Sequence, residues 1–146
     1  MQRKLKTLKL LLWYKELQEE QAKIRQHHAR LHLEKLKEEK RLLEEEYKEC
    51  YDYLTMKKAL TGEELRSWAN YFETIREFQD IADNKIKKQE EVLQELSEDL
   101  MAKYREKRLV DNLYRRYSSL YRWEMAKKEL KTLDDLILLR KGRKLA

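Results

Sequence analysis

The chain has 146 residues, 42% of them charged, with two glycines, no proline and one cysteine. Tight turns, phosphate-cradling glycine loops and dinucleotide fingerprints need residues this chain hardly has, which excludes strand-and-turn architectures and nucleotide-fold enzymes. The formal charge of +6 comes from 34 basic and 28 acidic residues that are segregated along the chain. Residues 1–14 carry four bases and no acid, residues 101–146 carry fourteen bases and six acids, and residues 15–100 are left with a net −6. Such a charge distribution steers the chain end-first toward an acidic partner.

The composition predicts an all-α, single coiled-coil domain over 1–146. The first helix is expected over about 3–59. Its apolar positions recur in steps of three and four: Leu5, Leu8, Leu12, Ala22, Ala29, Leu33, Leu36, Leu43, Tyr47, Cys50 and Leu54, with Lys15, Glu19, Gln26 and Lys40 as polar members. A short loop is expected at about 60–62, where Thr61 and Glu64 form a capping-box pattern around Gly62. A second helix over about 62–140 repeats the spacing from Trp68 through Phe72, Ile75, Ala82, Ile86, Leu93, Leu96, Leu100, Val110, Tyr114 and Tyr117 to Tyr121. Gly142 reads as its stop, with a basic tail at 141–146. At 1.5 Å per residue these helices are roughly 85 and 115 Å long, and single helices of that length need an apolar stripe buried against a partner.

The two stripes fit each other as an antiparallel coiled-coil hairpin, the second helix longer and overhanging. Facing residues then have numbers summing to 122, which sets Leu54 on Trp68, Cys50 on Phe72, Leu36 on Ile86, Leu12 on Val110 and Met1 on Tyr121. Small residues face large ones at Ala29–Leu93 and Ala22–Leu100. Glu19 faces Lys103, and Lys15 facing Lys107 is a defect of the register, eased by both side chains snorkelling outward.

About 25 residues of the second helix extend beyond that register. They carry a stripe of Trp123, Ala126, Leu130, Leu133 and Ile137, shifted in phase from the seam, among basic residues. Another protein is expected to receive this overhang. Self-association and a membrane surface meeting the basic C-terminal helix are the other readings. Near the loop, Tyr53, Tyr71 and Phe78 flank the seam and are candidates for a second docking patch.

Chemistry is largely absent. His27, His28 and His32 lack a third metal ligand and the H-E-x-x-H pattern. Cys50 sits on the seam as a small apolar residue, and no paired carboxylates suggest acid–base work. The segment 114–123 interleaves bases with aromatics, as nucleic-acid binders do, but its tyrosines fall on the seam. A nucleic-acid-binding arm is therefore the alternative function. No enzyme, metal or cofactor is expected. With one cysteine, no signal-type segment and no membrane span, a reducing cytoplasmic compartment is expected.

The basic-apolar opening Arg3-Lys4-Leu5-Lys6-Thr7-Leu8, the two long helices, and the late segment Lys127-Lys128-Glu129-Leu130-Lys131-Thr132-Leu133-Asp134-Asp135 resemble the FliJ family of flagellar and type III secretion export proteins. Leu133-Asp134-Asp135 is similar to a leucine-acidic pair near that family's C-terminus, with Asp where the second acid is usually Glu. The resemblance implies a cytoplasmic, non-enzymatic stalk peripheral to the inner membrane. Such a stalk is similar to the central coiled coil of rotary ATPases. It implies insertion of the terminal end into a hexameric export ATPase, promotion of the ring's assembly, linkage to the membrane export gate protein, and engagement of export chaperones. On this chain the ring-binding residues would be Lys4, Lys6, Lys9, Arg115, Arg116, Arg122, Trp123, Leu130, Leu133 and Ile137. The gate-docking residues would be Tyr53, Tyr71 and Phe78.

Overall fold

The computed structural model describes residues 2–145, with side chains described through Arg143. Two helices account for nearly all of it: α1, Gln2–Met56, and α2, Gly62–Leu145. They pack into two compact units. Unit 2 is Ala22–Leu100; unit 1 joins residues 1–21 to residues 101–146. The helices pair antiparallel in both.

In unit 2 the seam is built as the sequence spacing requires. Ala22, Ala29, Leu33, Leu36 and Ile75 are buried, and Leu43, Tyr47, Cys50, Leu54, Trp68, Phe72, Ala82, Ile86, Leu93 and Leu96 are half-buried. The residues between them are largely exposed, so the long helices are held by one stripe rather than by intrinsic propensity. Cross-helix pairs keep the register within a few residues of 122. Gln26 Nε2 donates to Ser97 Oγ at 2.9 Å, Lys40 Nζ lies 2.6 Å from Asp83, and Tyr47 and Phe72 meet edge-on at 5.0 Å between centroids. The Gln89 amide fills the gap beside a small residue by donating to the Ala29 carbonyl at 3.0 Å.

The connection lies slightly earlier than the sequence suggests. α1 stops at Met56 rather than near 59, and residues 57–61 link the helices. Leu54 is the last seam residue of α1, and beyond it nothing on α2 supports another turn; the Lys57 N–H closes a tightened turn on the Leu54 carbonyl at 3.3 Å. Thr61 caps α2 as expected, its Oγ accepting the Glu64 N–H at 3.2 Å, and its carbonyl takes the Leu65 N–H at 3.0 Å. The Glu64 carboxylate turns toward Lys57 Nζ at 3.8 Å. Gly62 is the first helical residue and has no positive φ, so its backbone latitude is unused.

In unit 1 the same spacing puts Val110 in the buried set, with Leu5, Leu8, Leu12, Tyr114, Tyr117 and Tyr121 half-buried. The expected lysine clash resolves sideways. Lys15 Nζ reaches Glu106 at 3.0 Å, and Lys107 Nζ reaches Glu19, the acid the register sets opposite Lys103, at 3.1 Å. Glu19 is only 5% exposed and Lys107 half-exposed, so a charged layer is set among apolar ones. Its carboxylate holds the Lys107 ammonium above its ordinary range, and Lys15 holds Glu106 below the usual carboxylate range.

The C-terminal stop also differs. α2 runs through Gly142 to Leu145, and Gly142 has no positive φ. A glycine ends a helix only where the chain turns left-handed at the C-cap, and nothing here makes it turn. The basic tail expected at 141–146 is helical through Leu145. The Met1–Tyr121 pairing falls outside the described residues; beside it, Gln2 Nε2 donates to Tyr121 Oη at 2.9 Å.

Candidate functional site

The seam of unit 1 ends at Tyr121, and the reason is visible in the heptad. Stepping seven residues at a time from Tyr121 lands on Lys128, Asp135 and Gly142, none of which can extend an apolar seam. The apolar heptad moves instead to Trp123, Leu130 and Ile137, joined by Ala126 and Leu133, two positions around the helix. Every described residue from 122 to 143 is exposed, Trp123 at 58% and Leu130 at 62%. Seven bases and four acids share this stretch. Lys127 places its ammonium 3.5 Å from the centre of the Trp123 ring, which leaves the indole edge and the leucines free to solvent.

The bases assigned to this end are all in unit 1, which carries 19 basic and nine acidic residues against 15 and 19 in unit 2. Lys6, Lys9, Arg116 and Arg122 are exposed. Lys4 sits 5.7 Å over the Tyr117 ring, and Arg115 Nε is 3.2 Å from Asp111. Between the helices, Arg3, Lys4, Thr7, Leu8, Leu113 and Tyr117 line a shallow groove with a basic rim.

The second patch lies in unit 2. Tyr53, Tyr71 and Phe78 are exposed, but they do not form one cluster. Tyr53 and Tyr71 both pack on Trp68, at 5.8 and 5.9 Å between centroids. Phe78 belongs to a groove with Leu42, Leu43, Glu46, Ile81 and Ala82. Glu46 links the two, because the Tyr71 phenol donates to its carboxylate; that bond, with partial desolvation, raises the phenol's pKa well above its ordinary value.

No group of His, Cys, Asp and Glu among the described residues could hold a metal ion, and His27 and His28 lie with ring centres 6.3 Å apart. Cys50 is a half-buried free thiol at its seam position. No helix among the described residues is long and apolar enough to cross a membrane.

The family model described as Flagellar FliJ protein matches residues 4–145. The chain belongs to the FliJ family. FliJ proteins are structural, export-related components of the flagellum, so this chain is a coiled-coil protein of flagellar export. The match takes in the seam, the connection and the overhang alike. No curated protein and no solved structure matches the chain.

Two exposed apolar features lie off both the seam and the stripe Trp123–Ile137. Leu136, Leu138 and Leu139 are exposed and widen the apolar surface of the FliJ overhang around Ile137, between Asp134-Asp135 and Arg140-Lys141; the unbroken run Leu136–Leu139 is their signal. Leu10, Trp13, Tyr14 and Leu17 form an exposed stripe on the face of α1 away from the seam. The run Leu10–Tyr14 announces it.

Proposed function

We propose that this FliJ protein is a non-enzymatic stalk that couples the hexameric export ATPase to the rest of the flagellar export apparatus. The observation that carries the reading is the exposed apolar stripe Trp123–Ile137 on a basic helix, beyond the last described pairing at Gln2–Tyr121. Burying a Trp, Leu or Ile contributes about 1.5–3 kcal/mol each, enough for the four such residues of the stripe to hold a protein partner. The surrounding Lys4, Lys6, Lys9, Arg115, Arg116 and Arg122 orient the end toward an acidic ring and speed its encounter. In this account the overhang enters the ring and promotes its assembly.

The acidic, aromatic unit 2 supplies the other contact, with the export gate protein at the membrane, through Tyr53, Tyr71 and Phe78; export chaperones are further partners. The protein then works at the cytoplasmic side of the inner membrane. Deleting residues 122–146 tests the first contact: ATPase stimulation disappears while the paired helices persist, and undiminished stimulation overturns the assignment. Unchanged gate affinity in a Tyr71→Ala/Phe78→Ala chain refutes the second.

A further inference from the structure

The outward face of α1 in unit 1 is absorbed neither by the seam nor by the overhang. Leu10, Trp13, Tyr14 and Leu17 stand at i, i+3, i+4 and i+7, which places them on one side of the helix. The seam residues Leu5, Leu8 and Leu12 point the other way, into α2, so this face has no cover among the described residues. Leu10 is 67% exposed and Trp13 60%, with Tyr14 and Leu17 also open. The same face continues toward the N-terminus at Lys6 and Arg3, with Lys9 on its flank; Glu16 and Glu20 stand on that flank too, Glu16 turned toward Lys107 of α2.

We infer that this face is a docking surface for anionic lipid, on which α1 lies parallel to the membrane. Three features favour that occupant. A Trp and a Tyr between two leucines is the composition that settles at the headgroup boundary, where an apolar ring meets a wet edge. The basic residues grouped at one end of the stripe, in a unit of net positive charge, complement anionic headgroups. A second copy of the chain would bring the same positive unit against itself. The surface is separate from the overhang, so the overhang's partner and the lipid can be held together.

The test is co-sedimentation of the full chain with vesicles of phosphatidylcholine and phosphatidylglycerol in equal parts, beside vesicles of phosphatidylcholine alone. The chain pellets with the anionic vesicles, weakly with the neutral ones, and its tryptophan emission shifts to the blue on binding. Leu10→Glu/Leu17→Glu alters only exposed side chains, keeps the helical signal, and lowers partitioning by about tenfold or more; Leu130→Glu/Leu133→Glu leaves it unchanged. The blue shift is lost in Trp13→Phe and kept in Trp123→Phe. Absence of pelleting overturns the proposal. So does a shift that follows Trp123, which puts lipid on the overhang, or a dimer in sedimentation equilibrium that Leu10→Glu dissolves, which makes the occupant a second copy. ATPase stimulation measured on the Leu10→Glu/Leu17→Glu chain stays at the parent's level, which distinguishes failure of this inference from failure of the stalk reading.

Discussion

Lys107→Met removes one half of the charged layer in unit 1. The Glu19 carboxylate, buried to 5% exposure, loses an ammonium 3.1 Å away and gains a thioether in its place. Breaking a fully buried pair outright costs about 3–5 kcal/mol, an upper bound here because Glu19 has a further partner besides Lys107. The Lys107 side chain is 33% exposed, so water screens part of the interaction and lets the carboxylate recover some hydration. A loss of about 2 kcal/mol follows, equivalent to a fall of about 4–8 °C in melting temperature for a chain of this size. Thermal and urea unfolding followed by circular dichroism measure it. Replacing both residues, Glu19→Leu/Lys107→Leu, turns the layer apolar and brings stability back to within about 1 kcal/mol of the parent or above it. A Lys107→Met chain that melts within a degree of the parent refutes the reasoning, since the pair would then be a solvated surface contact.

Ala29→Leu forces three more carbons into a layer already filled by its neighbours and the Gln89 amide, and lowers stability by about 1–3 kcal/mol in urea unfolding. Thr61→Ala removes the cap on the Glu64 N–H and lowers stability by about 1 kcal/mol. Lys15 depresses the Glu106 pKa, so the stability it contributes is full above the ordinary carboxylate range and is lost as pH falls through the lowered value; Glu106→Gln flattens that acid limb of a melting-against-pH curve. Gly142→Ala raises helicity and stability by about 0.5–1 kcal/mol, because the residue sits inside α2 without a positive φ and an added Cβ meets nothing within 4 Å.

The seam was legible residue by residue, because a period of three and four over so many turns has one physical solution. Each position named for it, from Leu5 to Leu54 and from Trp68 to Tyr121, is shielded from solvent to some degree, and the residues beyond Tyr121 are exposed. The helix ends were less legible. Gly142 looks like a stop in sequence, yet a stop needs a chain that turns, and here it does not. A register sum treats side chains as points, so it shows the Lys15–Lys107 conflict but not the acids that relieve it. Lys15 and Lys107 are long enough to reach acids one layer away, and the register survives. The candidate surfaces were partly legible. The overhang's apolar heptad is plain in sequence, but its exposure depends on where α1 begins relative to it. The separation of Tyr53 and Tyr71 from Phe78 depends on how Trp68 and Glu46 fill the space between the helices, which spacing alone does not encode.

The central claim is that the unpaired stripe at the end of α2 is where the export ATPase is held. The direct measurement is a binding titration of the purified ATPase from the same export system with the intact chain and with Leu130→Glu/Leu133→Glu. Both substituted residues are exposed, so melting is unchanged. Losing two buried leucines at the contact weakens binding by about a hundredfold. Equal affinity for the two chains contradicts the account.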